Sequence, residues 1–179
     1  DTYGINSAGR IVGATWSLGG GGGPTVWDGK GRPTLLALPA NAINAEAVAI
    51  NDGGVIAGTT GLANYARRAT VWDGRGVPRL LSDPPGVAVA STEATGINNA
   101  GEVTGNVHRT DGRTFPVLWS KSGQATVLSE AGLGGVTGAI NDRGDVAGEV
   151  YGMPVGGVVW VRGGVVRHLV PPAEKSDLY

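Results

Sequence analysis

An all-β fold made of four copies of one unit follows from three observations on the 179-residue chain. A single phrase recurs as Gly4-Ile5-Asn6-Ser7-Ala8-Gly9, Ala49-Ile50-Asn51-Asp52-Gly53-Gly54, Gly96-Ile97-Asn98-Asn99-Ala100-Gly101 and Ala139-Ile140-Asn141-Asp142-Arg143-Gly144, its isoleucines 45, 47 and 43 residues apart. A tryptophan follows each phrase (Trp27, Trp72, Trp119, Trp160) at spacings of 45, 47 and 41. Between these markers no window has helical periodicity, and short runs rich in β-branched residues alternate with glycine-bearing turns. Four short strands in about 45 residues are the unit of a β-propeller blade. The predicted architecture is therefore an all-β single domain, a β-propeller of four four-stranded antiparallel blades. The blades fall at approximately 1–39, 40–84, 85–129 and 130–170, with a C-terminal tail over 171–179. A β-solenoid or a repeating sandwich is the competing reading, disfavoured because solenoid coils are shorter and lack two hairpin turns per repeat.

Each unit begins with a strand that ends in the Ile-Asn phrase, as in Ala45-Glu46-Ala47-Val48-Ala49-Ile50. The small residues Gly4, Ala49, Gly96 and Ala139 are expected nearest the axis, where neighbouring blades crowd together. The phrase itself is turn chemistry. Asparagine bonds backbone amides ahead of it, and the closing glycine tolerates the positive φ of a bulged hairpin. The second strand follows at once, as Arg10-Ile11-Val12-Gly13, Val55-Ile56-Ala57-Gly58, Glu102-Val103-Thr104-Gly105 and Asp145-Val146-Ala147-Gly148. After a variable stretch the third strand ends on the tryptophan, which is expected to be buried between sheets. A second glycine-bearing turn, such as Asp73-Gly74-Arg75-Gly76, leads into a leucine-rich fourth strand such as Pro78-Arg79-Leu80-Leu81. Trp16 stands outside the repeat register and is expected to be exposed. Blades one and four are expected to meet through side-chain packing alone. The tail cannot extend a sheet at Pro171 and Pro172, and Leu178 and Tyr179 are read as a latch across one face.

Composition narrows the function classes. The chain has 33 glycines and 10 prolines, but the glycines recur in register with valine and isoleucine, as in a turn-dense β protein. Lysine plus arginine number 14 and aspartate plus glutamate 15, so there is no electrostatic footprint for nucleic acid or an anionic membrane. The absence of cysteine excludes disulfides and thiolate metal sites. No apolar run approaches the roughly 20 residues that span a bilayer.

The Ile-Asn-x-x-Gly-x-Val-x-Gly core, followed by an aromatic-rich third strand and a leucine-rich fourth, resembles the bacterial extracellular repeats of the HAF family. The resemblance covers all four units. It departs where the His-Ala-Phe tripeptide should precede the tryptophans: Gly23-Pro24-Thr25, Arg68-Ala69-Thr70, Phe115-Pro116-Val117 and Gly156-Gly157-Val158 stand there, and only Ala69 matches. The resemblance implies a bacterial, exported protein, extracellular or periplasmic, with a blade-like fold. It implies no activity and no catalytic residues.

Catalytic chemistry is not legible. The two histidines, His108 and His168, occupy different repeat positions, so the repeat does not bring them together for nucleophile–base work. Glu46, Glu93, Glu130 and Glu149 form no obvious pair for glycoside hydrolysis. The Asn-Asp-x-Gly strings lack the alternating acids and closing glutamate of a calcium loop. The Trp-Asp pairs at Trp27 and Trp72 lack the Gly-His partner of WD40 repeats. The glycine run over 19–23 lacks the lysine and following helix of a phosphate loop. No catalytic residue, metal ligand or cofactor is assigned.

Repeated positions build scaffold, so function is expected where the copies differ, in the connections between second and third strands. These supply Trp16, Tyr65, Arg67, Arg68, His108, Arg109, Arg113 and Tyr151, residue types that anchor binding surfaces. The expectation is a secreted non-enzymatic binding module that recognises a glycan or a protein through these loops. A structural, self-associating repeat protein is the alternative, and a hydrolase with an unrecognised site at the channel mouth stands third. Neither a nucleic-acid partner nor membrane insertion is expected.

Overall fold

The computed structural model describes residues 1–16, 22–128, 132–152 and 157–170. The tail latch, and the parts of the notable segments that fall on 17–21, 129–131 and 153–156, lie outside the described residues. Sixteen strands are present among them, grouped as four antiparallel four-stranded sheets with no helix. The first sheet holds β1 (Thr2–Ile5), β2 (Ile11–Trp16), β3 (Gly22–Trp27) and β4 (Pro33–Leu35). The second holds β5 (Ala42–Ile50), β6 (Ile56–Leu62), β7 (Arg67–Trp72) and β8 (Pro78–Leu80). The third holds β9 (Val89–Ile97), β10 (Val103–Arg109), β11 (Thr114–Trp119) and β12 (Ala125–Val127). The fourth holds β13 (Gly135–Ile140), β14 (Val146–Val150), β15 (Gly157–Val161) and β16 (Val165–His168). Each sheet is a simple meander, one sheet per repeat unit.

The turn chemistry takes the expected form. Asn51 Oδ1 accepts the Val55 amide, and Asn6 and Asn141 each accept two amides of their own turns. The closing Gly9, Gly54, Gly101 and Gly144 all have φ between 72° and 82°. The same asparagines also tie one sheet to the next. Asn6 Nδ2 donates to the Asn51 carbonyl at 3.1 Å, Asn51 to Asn98 at 3.0 Å, and Asn98 to Asn141 at 3.1 Å. Beside this ladder runs a second one, in which the amides of Ser7, Asp52 and Asn99 donate to the side chains of Asp52, Asn99 and Asp142. The four phrases line one common opening.

Every first strand carries a bulge just before its small residue, at Tyr3, Val48, Thr95 and Gly138. The bulge drives a backbone carbonyl toward the second strand. A Cβ at Gly13, Gly58, Gly105 or Gly148 would collide with the carbonyl oxygen of Asp1, Glu46, Glu93 or Val136 respectively. The glycine that closes the Val-x-Gly motif is thus required by a close backbone approach.

Packing runs in one direction along the chain. β5 packs on β1, β2 and β3; β9 on β5, β6 and β7; β13 on β9, β10 and β11. The core accordingly divides into three interfaces. Ile50, Ile56 and Trp72 meet Val12, Val26 and Leu36 in the first. Val103 and Trp119 meet Ala57, Val71 and Leu81 in the second, and Val146 and Trp160 meet Leu118 and Leu128 in the third. Trp72 and Trp119 are fully buried, and their Nε1 atoms donate to the carbonyls of Ala37 and Ser82 in the link of the preceding sheet. Trp160 is also buried, but Trp27 is only half-buried. Each tryptophan reaches back to the preceding sheet, and Trp27 has none before it among the described residues. Among the described residues no packing of comparable extent joins the fourth sheet to the first.

Candidate functional site

The connections between second and third strands give the described residues their most exposed aromatics. Trp16, at the end of β2, is 65% exposed, as its place outside the repeat register requires, and Tyr65 is 91% exposed. Tyr65 sits in the β6–β7 turn, where the Tyr65 amide donates to the Leu62 carbonyl and Asn64 Oδ1 accepts the Ala66 amide. Its φ of 64° lies in the left-handed region that hairpin turns normally fill with glycine.

Trp16, Tyr65 and Arg67 line one cleft of about 270 Å³ between the first and second sheets, together with Asn44, Glu46 and Thr59. Arg67 Nη2 lies 2.6 Å from Glu46 and its Nη1 lies 2.8 Å from Glu93. Glu93 stands in turn 3.7 Å from His108 Nε2, and His108 Nδ1 is 2.9 Å from the Thr114 hydroxyl. An alternating row Glu46–Arg67–Glu93–His108 thus runs from the cleft onto the third sheet. It holds the Arg67 guanidinium between two carboxylates and fixes the orientation of Glu46.

The remaining residues singled out in the sequence do not join this cleft. Arg68 donates to the carbonyls of Arg67 and Ala90 and lies 3.6 Å from Asp83. Arg109 and Arg113 both stack over Phe115, at 5.7 and 4.8 Å from the ring centroid, and Arg109 also pairs with Asp111. Arg113 donates to the Gly132 carbonyl. Tyr151 is half-exposed near Gly134 in the fourth unit, where its amide donates to the Gly134 carbonyl. Arg68 joins the second unit to the third and Arg113 the third to the fourth, whereas Arg109 is held within the hairpin of the third. Arg67, Arg68, His108 and Arg109 also lie within strands β7 and β10 rather than in loops, because those hairpins are tighter than the variable stretches suggest. Asn44 escaped because β5 starts at Ala42, three residues before the Ala45–Ile50 run read from the sequence, and Glu46, inside that run, escaped because function was sought only in the connections between second and third strands. The alternation Ala42-Ile43-Asn44-Ala45-Glu46-Ala47 was the available signal.

Titration is perturbed on the opposite side, around the phrases. The Ser7 amide, and then the Asn99 side chain, hold the Asp52 carboxyl below the usual carboxylate range. The Asn141 side-chain amide, the Arg162 amide and the Arg143 guanidinium do the same for Asp145. Asp28 and Asp73 are lowered by amides of their own turns, those of Arg32 and Val77 first. Asp28, Asp73 and Asp145 brace turns, and Asp52 belongs to the ladder that joins the first three sheets. No cluster of three or more histidine, aspartate or glutamate side chains suited to a metal occurs among the described residues. Among the described residues no helix is long and apolar enough to cross a membrane. No protein-family model matches the chain, and none of the curated proteins compared with it matches either.

Proposed function

We propose that this chain is a glycan-binding module whose site is the cleft walled by Trp16 and Tyr65. The observation that carries the reading is a pair of strongly exposed aromatic rings flanking a cleft with Asn44, Glu46 and Arg67 on its surface. Aromatic faces take the apolar C–H face of a sugar ring, while fixed amide, carboxylate and guanidinium groups bond its hydroxyls. The left-handed φ of Tyr65 supports the same reading, since a non-glycine residue there costs free energy that the exposed ring does not recover by burial.

The scaffold is an arc of β-propeller blades, a reading supported by four successive meanders whose phrases surround one opening. Its likeness to HAF repeats, carried by the Ile-Asn-x-x-Gly-x-Val-x-Gly core, is the basis for proposing an exported bacterial protein. A glycan array followed by calorimetric titration tests the function. Binding should disappear in Trp16→Ala and Tyr65→Gly and persist in Arg113→Ala, with all three variants folded. A protein that binds no glycan, or variants that bind as the parent does, would refute the reading.

A further inference from the structure

Each end of the sheet array leaves open the positions that are paired at the internal junctions. In the first two internal junctions a sheet presents a side chain from its second strand, one from its third and the residue that follows its fourth to the next sheet. Val12, Val26 and Leu36 do so in the first unit and Ala57, Val71 and Leu81 in the second, and all six are buried. The matching positions of the fourth unit are Ala147, Val159 and Leu169. They line an open groove of about 860 Å³, and Leu169 is 50% exposed. The receiving face is missing its partner at the other end. Ile50 is buried against the first sheet, whereas its counterpart Ile5 is 66% exposed and Trp27 is only half-buried.

The polar groups are left over in the same sense. The asparagine ladder runs from Asn6 to Asn141, and Asn141 Nδ2 turns back to Asp145 in its own turn. Arg79, on β8, donates to the carbonyls of Lys121 and Ser122 in the next sheet's second turn. Its counterpart Arg167, on β16, is exposed at the open groove. Thr59 and Asn106 accept the amides of Ala94 and Thr137 across their junctions, and the exposed Glu149 occupies their position in the fourth unit.

From this continuity we infer that the chain associates head to tail with a second copy of itself, the fourth sheet of one copy receiving the first sheet of the other. In the junction, Ile5 and Trp27 of the second copy cover Ala147, Val159 and Leu169. Asn141 Nδ2 transfers to the Asn6 carbonyl, Arg167 reaches the carbonyls of Gly29 and Lys30, and Glu149 accepts the Thr2 amide. One rung departs from the internal pattern. Ser7 stands where Asp52, Asn99 and Asp142 accept an amide, and its side chain is shorter. A surface that meets a different surface gives a heterologous contact, which closes as a ring or grows as an open array.

Sedimentation of the chain over a range of concentrations tests the inference. Association should rise with concentration and be lost in both Ile5→Arg and Leu169→Glu. An equimolar mixture of the two variants should stop at a dimer, because each retains one intact face. Both side chains are exposed in the single copy, so circular dichroism should show each variant folded. Should either misfold, amide exchange of the parent provides the readout: β1 and β16 should become protected at high concentration, with β6 and β7 unchanged. A chain that stays monomeric at about 1 mM overturns the inference and leaves further repeat units of one polypeptide as the occupants. Association blocked by only one of the two substitutions overturns the head-to-tail geometry, since a two-fold contact uses one face twice.

Discussion

At the scale of single residues, stability is concentrated in groups that reach from one sheet into the one before it. Trp72 fills the first interface and bonds the Ala37 carbonyl, so Trp72→Ala removes both a large core side chain and a satisfied donor. The expected loss is about 3–5 kcal/mol, and Trp27→Ala should cost clearly less because its ring is already half in water. Chemical denaturation of both variants checks the ordering. Asn51→Asp keeps the acceptor that braces the turn but replaces the donor to the Asn98 carbonyl with a second acceptor. A loss of about 1–3 kcal/mol is expected, the cost of setting a buried carboxylate oxygen against the Asn98 carbonyl, which keeps only the Gly101 amide. Asp52 gives a pH signature. Because the folded protein lowers its carboxyl, the stabilisation is complete above the unfolded value near 3.9 and is lost as pH falls through the folded value. Asp52→Ala should therefore lower the unfolding midpoint at neutral pH, and its difference from the parent should vanish in strong acid.

At the scale of elements, the repeated bulge and the hairpin turns place different demands on glycine. At Gly58 the obstacle is the Glu46 carbonyl across the bulge, and backbone cannot swing away as a side chain can. Gly58→Ala is expected to cost about 1–3 kcal/mol, as overpacking does. At Gly9 nothing stands within reach of an added Cβ, but φ is 72°. Gly9→Ala should cost only the left-handed strain of about 1–2 kcal/mol. Thermal unfolding of the two variants separates the mechanisms when Gly58→Ser and Gly9→Ser are added. A larger side chain worsens the first problem and leaves the second unchanged. The β6–β7 turn inverts the test: Tyr65→Gly should hold or raise the unfolding midpoint while glycan binding is lost. A large destabilisation would assign Tyr65 a packing role instead of a binding one.

At the scale of the whole molecule, each sheet leans on its sequence neighbours, so local stability is close to a sum of unit and interface contributions. The second and third sheets each have two covered faces among the described residues. The fourth sheet has one open apolar groove, and the first exposes Tyr3 and Ile5. In dilute protein, amide exchange should therefore be fastest in β15, β16 and β1 and slowest in β6, β7, β10 and β11. Uniform protection across the four sheets would mean that the end faces are covered within a single chain.

The sequence alone determined the period, the four-strand unit, the two turns and the contrast between the buried Trp72, Trp119 and Trp160 and the exposed Trp16. These are local or periodic properties: an asparagine braces its own turn, a closing glycine takes a positive φ, and a side chain repeated every 41 to 47 residues returns to the same place in each sheet. What repetition cannot specify is which copy of a repeated side chain has a neighbouring sheet to pack on. Trp27 has the sequence context of a buried tryptophan, but no sheet precedes it among the described residues and it is half-exposed. The bulges also escaped the sequence, because nothing local separates Val48 from an ordinary strand residue; the signal lay in the partner glycine of the next strand. The candidate site was half legible. Exposed aromatics in the variable connections pointed to Trp16, Tyr65 and Arg67. Tertiary structure decided that these three share a cleft with Asn44 and Glu46, while Arg68, Arg109 and Arg113 are spent on carbonyls, carboxylates and the Phe115 ring. The physical reason is that a long cationic side chain can reach several partners, and only the stacking of adjacent sheets selects one.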